Sequence, residues 1–200
     1  MKNRIPFILI WSRAGLAMLV LMIGIAQCSW ATYAVAWSIP LAVLTDVFDG
    51  ILARRWGVST EQLRRLDSQI DMFYWLSLLV AFMILVPGAS QIFWPWIGLA
   101  VIAESSLYIT SLIRFGKEPC THALLSKMWC LVLASCLFYS FIFANTHWMK
   151  FAMISGYVAQ LDVLLILCIL PKWQRDIPSS YHAWLLRQGK SFERNPLFNG

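Results

Sequence analysis

Six long apolar runs constrain this chain more than any other feature. They cover 6–27, 31–55, 66–87, 92–113, 123–145 and 149–171. Several exceed the ~18 residues at which an apolar run reads as a membrane-spanning helix. Sixty per cent of the residues are hydrophobic and thirteen per cent are charged, which is too apolar for an ordinary soluble domain. The fold class expected is all-α: a polytopic membrane protein with six transmembrane helices. A length of 200 residues points to one domain. Residues 1–171 would be the six-helix membrane domain and 172–200 a C-terminal tail.

The basic residues fall in alternate loops. Lys2 and Arg4 precede the first run; Arg55, Arg64 and Arg65 follow the second. Arg114, Lys117, His122 and Lys127 lie between the fourth and fifth, and Lys172 and Arg175 follow the sixth. This is the positive-inside pattern, and it puts both termini in the cytoplasm of a multi-pass cell-membrane protein. Only Lys150 departs from it. Pro87-Gly88 closes the third run, and the short loop after it is uncharged, as an external loop should be. The net charge of +6 therefore does not indicate nucleic acid; it suits anionic headgroups and phosphorylated substrates. A cleavable signal peptide is disfavoured, because Arg13 interrupts the first run and no small-x-small site follows. The cysteines (28, 120, 130, 136 and 168) show no Cys-x-x-Cys spacing and read as small buried hydrophobes.

Five of the ten acidic residues fall within 46–71, and four of them are aspartates at helical spacings. Asp46 and Asp49 are spaced i,i+3, and Asp67 and Asp71 i,i+4, so each pair shares one face of a helix. Two helices joined by a short turn can aim all four carboxylates into one space, where they repel each other. A divalent cation removes that repulsion, and an oxygen-only ligand set suits Mg²⁺ or Mn²⁺. Gly50 leaves the same face open for close approach of a substrate, and Ala53 does so one turn later. Arg54 adds a permanent positive charge suited to a phosphate.

The stretch resembles the signature of the CDP-alcohol phosphotransferases (CDP-alcohol phosphatidyltransferases), Asp-x2-Asp-Gly-x2-Ala-Arg-x8-Gly-x3-Asp-x3-Asp. Every fixed position matches but one: Leu63 stands where the family has its second glycine. The resemblance implies a metal-dependent membrane transferase of phospholipid synthesis. Such an enzyme moves a phosphoalcohol group, here a phosphatidyl group, from a CDP-alcohol such as CDP-diacylglycerol to a hydroxyl acceptor and releases CMP. It implies two ions held by Asp46, Asp49, Asp67 and Asp71, with Asp71 also the general base. It assigns Gly50, Ala53, Arg54 and Thr60 to the CDP-alcohol, places the active site at the cytoplasmic face and carries the expectation of a homodimer. The alternative from another class is a non-catalytic transporter or ion-binding protein using the same carboxylates. Against it, the acids sit at one membrane face and no inverted repeat is visible.

Leu63 would either enter the face shared with Asp67 and Asp71 or lie in the loop and point away. Arg13 either snorkels to the interface or faces the polar site and meets an anionic group of the substrate. Arg114 and Lys127, with Lys117 and His122, either make a pocket for an acceptor phosphate or headgroup or carry positive-inside charge alone. Ala103-Glu104 occupies the place where family members with phosphorylated acceptors have a further basic residue, which speaks against glycerol phosphate or inositol phosphate. Glu104 and Asp162 lie within apolar runs and are expected to face the bundle interior. Ser59-x-x-Gln62 fits a capping box that starts a short helix before the third run. The tail around Tyr181, Trp184, Leu185 and Leu186 reads either as a short surface helix or as a frayed end.

Overall fold

The computed structural model describes residues 5–56, 60–119, 123–174 and 177–191; for 53, 54, 61, 62, 64, 65 and 92 it describes the backbone. Ser59, His122 and Arg175 lie outside the described residues. The elements are helices: α1 (Ile5–Ala26), α2 (Ala31–Arg55), α3 (Glu61–Leu85), α4 (Ala89–Phe115), α5 (Leu124–Phe143), α6 (Met149–Ile169) and α7 (Ser180–Arg187). The first six are long and apolar enough to cross a membrane. Helices meet that demand because in hydrocarbon every backbone polar group must be satisfied within the segment.

The chain forms two compact units. The first holds residues up to 91 and residues 137–147; the second holds 92–136 and everything from 148. Helix α5 contributes to both.

In the first unit α1 packs extensively on α3 and on α2, while α2 and α3 share far less surface. The buried residues of α1 are Pro6, Ile10, Arg13, Ala17, Val20 and Gly24. They alternate in steps of four and three, so they form one seam along the helix. Lipid tails are as apolar as leucine, so close packing rather than water exclusion holds such a seam, and small residues serve it best. At Gly24 a Cβ would stand 3.0 Å from the Ala81 Cβ, so glycine lets α1 and α3 close. Phe82 meets Phe141 edge-on at 5.8 Å, and about two turns away on α3 the buried Tyr74 hydroxyl lies 3.0 Å from Ser38 Oγ.

Helix α3 starts at Glu61, with no break between the short start anticipated before residue 66 and the span itself. Its N-cap is Thr60, whose Oγ1 accepts from Leu63 N at 3.1 Å. Leu63 offers no carboxylate or amide to reciprocate, so this is a cap without a box. Gly88 takes φ +73° and turns the chain into α4.

In the second unit Trp129 Nε1 donates to the Ala152 carbonyl at 2.8 Å, and its indole lies against Gly156. Tyr157 stacks on Trp96 and donates to its carbonyl. Glu104 departs from the interior placement expected of it. It is exposed and accepts from Gln160 Nε2 at 3.2 Å. The inward face of α4 carries Ala103, Leu107 and Ser111, at steps of four, and position 104 is rotated off that face. Asp162 is buried, as expected, and its Oδ1 accepts from Ser180 N at 3.1 Å, capping α7. The tail is therefore a helix here. Ile177 and Ala183 bury against Val163, Ile166 and Leu167 of α6 and Leu170 just past its end, leaving Tyr181 and Trp184 exposed.

Candidate active site

Helices α2 and α3 are joined by residues 56–60, so Asp46 and Asp49 descend one helix while Asp67 and Asp71 ascend the next. Neither pair closes the site alone. Arg13 of α1 does, from the seam described above. Its Nη1 donates to Asp46 Oδ1 at 2.8 Å and also to Asp71 Oδ1. Its Nη2 donates to Asp67 Oδ1 at 3.0 Å and also to Asp49 Oδ2. Each nitrogen thus takes one carboxylate from each helix. The level pairs are 46 with 71 and 49 with 67, the order that helices running in opposite directions produce. The planar fork of a guanidinium suits this; a point-like ammonium does not.

Burial is uneven. The Arg13 side chain is 1% exposed and Asp49 4%, whereas Asp46 is 47% exposed and Asp67 and Asp71 are 31% exposed. The cage is closed on the Arg13–Asp49 side and open on the Asp46 side. When all are ionised, four carboxylates face a single guanidinium, so negative charge remains in excess. One oxygen each from Asp46, Asp49 and Asp67 lies within 4.8 Å of the others. Hard oxygen donors at that spacing, with an excess of negative charge, fit a hard divalent ion such as Mg²⁺ or Mn²⁺.

Leu63 lies within the first turn of α3, neither in a loop nor pointing away. It is buried against Ile10 and Ile70, with Ala14 and Leu66 alongside. Ile10 and Ala14 flank Arg13 on α1, so the leucine packs beside the foot of the cage. Gly50 is half-buried one residue past Asp49. Ala53 and Arg54 continue α2, and their side chains lie outside the described residues. Thr60 is exposed, and its hydroxyl serves as the cap of α3.

Arg114 and Lys127 belong to the second unit. Arg114 Nη2 donates to the Leu170 carbonyl at 3.3 Å, at the C-terminal end of α6, where a cation is favoured. Lys127 sits in the first turn of α5.

Sequence reasoning missed that one side chain reaches all four aspartates. The signal was present: position 13 falls on the same helical face as Ile10, Ala17, Val20 and Gly24.

The family model for CDP-alcohol phosphatidyltransferases matches residues 4–173, nearly the whole described chain. This chain belongs to the CDP-alcohol phosphatidyltransferase family. Membership gives it its activity class, transfer of a phosphatidyl group from a CDP-alcohol in phospholipid synthesis, and the family uses divalent metal. Over 130 residues the chain is 28% identical to the CDP-diacylglycerol–glycerol-3-phosphate 3-phosphatidyltransferase of Escherichia coli strain K12 and to that of Shigella flexneri serotype 5b. The match covers 64% of this chain and 69% of each relative. No solved structure matches the chain.

Proposed function

We propose that this protein transfers the phosphatidyl group of CDP-diacylglycerol to a small hydroxyl acceptor at the cytoplasmic face of the cell membrane, releasing CMP. The observation that carries the reading is the convergence of Asp46, Asp49, Asp67 and Asp71 on one cation position. The names of the relatives supply the donor, and they make glycerol 3-phosphate the first acceptor to test.

Asp46, Asp49, Asp67 and Asp71 would hold two Mg²⁺ or Mn²⁺ ions. Such ions, when bound, neutralise a diphosphate and stabilise charge on the entering and leaving oxygens. Asp71 is the general base. It is part-exposed and stands at the open side of the cage, so an acceptor hydroxyl can reach it. The acceptor oxygen attacks the phosphatidyl phosphorus, its proton goes to Asp71, and the bond to CMP breaks. Gly50 and Ala53 leave room on α2 for the donor, and Arg54 supplies charge for its phosphates. Thr60, at the start of α3, is proposed to contact the donor as well. Arg114 and Lys127 are proposed to serve a headgroup or acceptor phosphate, and the active protein is a homodimer.

The test is CMP release from CDP-diacylglycerol by the detergent-purified protein with Mn²⁺ or Mg²⁺ and a panel of acceptors: glycerol 3-phosphate, inositol phosphate, inositol, serine and glycerol. Metal-dependent release with one acceptor, lost in Asp71→Asn, supports the reading and names the acceptor. No CMP with any acceptor overturns the phosphatidyl-transfer reading and favours an ion-binding protein.

A further inference from the structure

Arg13 donates to the same carboxylates that would hold a divalent ion. Its Nη2 touches Asp49 and Asp67, two members of the triad whose oxygens lie within 4.8 Å. A Mg²⁺ ion needs its oxygen ligands at about 2.0–2.1 Å in near-octahedral array. A guanidinium nitrogen in the same space blocks that shell, and its positive charge repels the ion. The two cations therefore compete for the same oxygens.

Arg13 is also incompletely satisfied where it is. Four of its donor contacts go to carboxylates, but Nε is buried with no hydrogen-bond partner. A buried donor without a partner has lost its water and gained nothing in return. The arginine is held in place by the charge of the aspartates, and it loses that hold once another cation takes them.

We propose that Arg13 is the resident counter-cation of the aspartate cage, and that it withdraws from Asp49 and Asp67 when a divalent ion is taken up. This rests on the metal reading of the site given above and adds a competition to it. Arg13 keeps four crowded carboxylates compatible with a folded, metal-free protein. In doing so it weakens metal binding. By linkage, any anionic group that captures the displaced guanidinium strengthens metal binding by the same factor that metal strengthens its own. A diphosphate is such a group, so donor and metal would load together.

The experiment uses the full chain in detergent, stripped of metal with a chelator. Free Mn²⁺ is followed by its electron paramagnetic resonance signal during titration, and melting is recorded without metal and at saturating Mn²⁺. Wild type is compared with Arg13→Gln and Arg13→Lys. Arg13→Gln is expected to bind Mn²⁺ more tightly, on the order of tenfold. It should melt lower than wild type without metal and gain more from Mn²⁺. Arg13→Lys keeps the charge but not the fork, and should bind Mn²⁺ with intermediate affinity. If Arg13→Gln does not fold, a lysine variant that binds Mn²⁺ no tighter than wild type overturns the proposal. Equal or weaker Mn²⁺ binding by a folded Arg13→Gln overturns the counter-cation role alone. Absence of Mn²⁺ binding in wild type and both variants overturns the metal reading and this inference together.

Discussion

Arg13 and Asp67, 54 residues apart in the chain, meet at 3.0 Å through Nη2 and Oδ1. The contact joins α1 to α3 at the level where Asp49 of α2 also arrives. Three helices are thus tied through one guanidinium, and the consequences differ from one aspartate to the next.

Asp49 and Asp46 should respond unequally to neutralisation. Asp49 is almost wholly buried on the closed side of the cage, whereas Asp46 is half exposed. A contact on the buried side is screened little by water, while exposed pairs are worth about 0–1 kcal/mol. Asp49→Leu is therefore expected to lower the metal-free melting temperature far more than Asp46→Leu. Equal losses in thermal unfolding would show that the cage is not closed on one side.

Leu63 is a packing residue at the family's glycine position. Leu63→Ala removes its contacts with Ile10 and Ile70 and should destabilise by roughly 2–5 kcal/mol. Metal-dependent CMP release per folded molecule should persist. Complete loss of release with unchanged melting would make Leu63 part of the nucleotide pocket instead.

Gly156 has no room for a side chain. A Cβ there would stand 2.6 Å from Trp129 Nε1, which is engaged with the Ala152 carbonyl. Gly156→Ala is expected to cost about 1–3 kcal/mol by overpacking. Trp129→Leu should restore part of that loss in a double-mutant cycle, because the two residues touch. Strictly additive effects would rule out the close approach of α5 and α6 at this level.

Asp162 holds the start of α7. Losing a side-chain cap costs about 1 kcal/mol, enough to free a helix of eight residues. Asp162→Leu should therefore expose the tail to limited proteolysis, and Asp162→Asn, which keeps the Oδ1 acceptor, should protect it. Equal cleavage of both variants would mean that burial of Ile177 and Ala183, not the cap, docks the helix.

Much of the fold was legible because the membrane simplifies the code. A run of apolar residues longer than the hydrocarbon is thick can only be a helix, so six spans followed from length and hydropathy alone. The aspartates were legible because spacings of three and four place side chains on one helical face wherever the helix goes. The position of Glu104 was not legible, since which face of α4 turns inward depends on neighbours far along the chain. The capping of α7 by Asp162 was hidden for the same reason: its partners are 18 residues apart and the contact depends on how the tail folds back.

The sequence by itself determined the six membrane-length helices and the acidic pairs on α2 and α3, because these depend on local spacing and on transfer between water and lipid. Tertiary structure alone decided what fills the space between the pairs. Arg13 reaches all four carboxylates because α1 packs on both α2 and α3 along its buried seam, and that close approach is a property of packed helices. Likewise, only packing decided that Leu63 would pack beside the cage: a side chain on the first turn of α3 acquires its role from Ile10, more than fifty residues earlier.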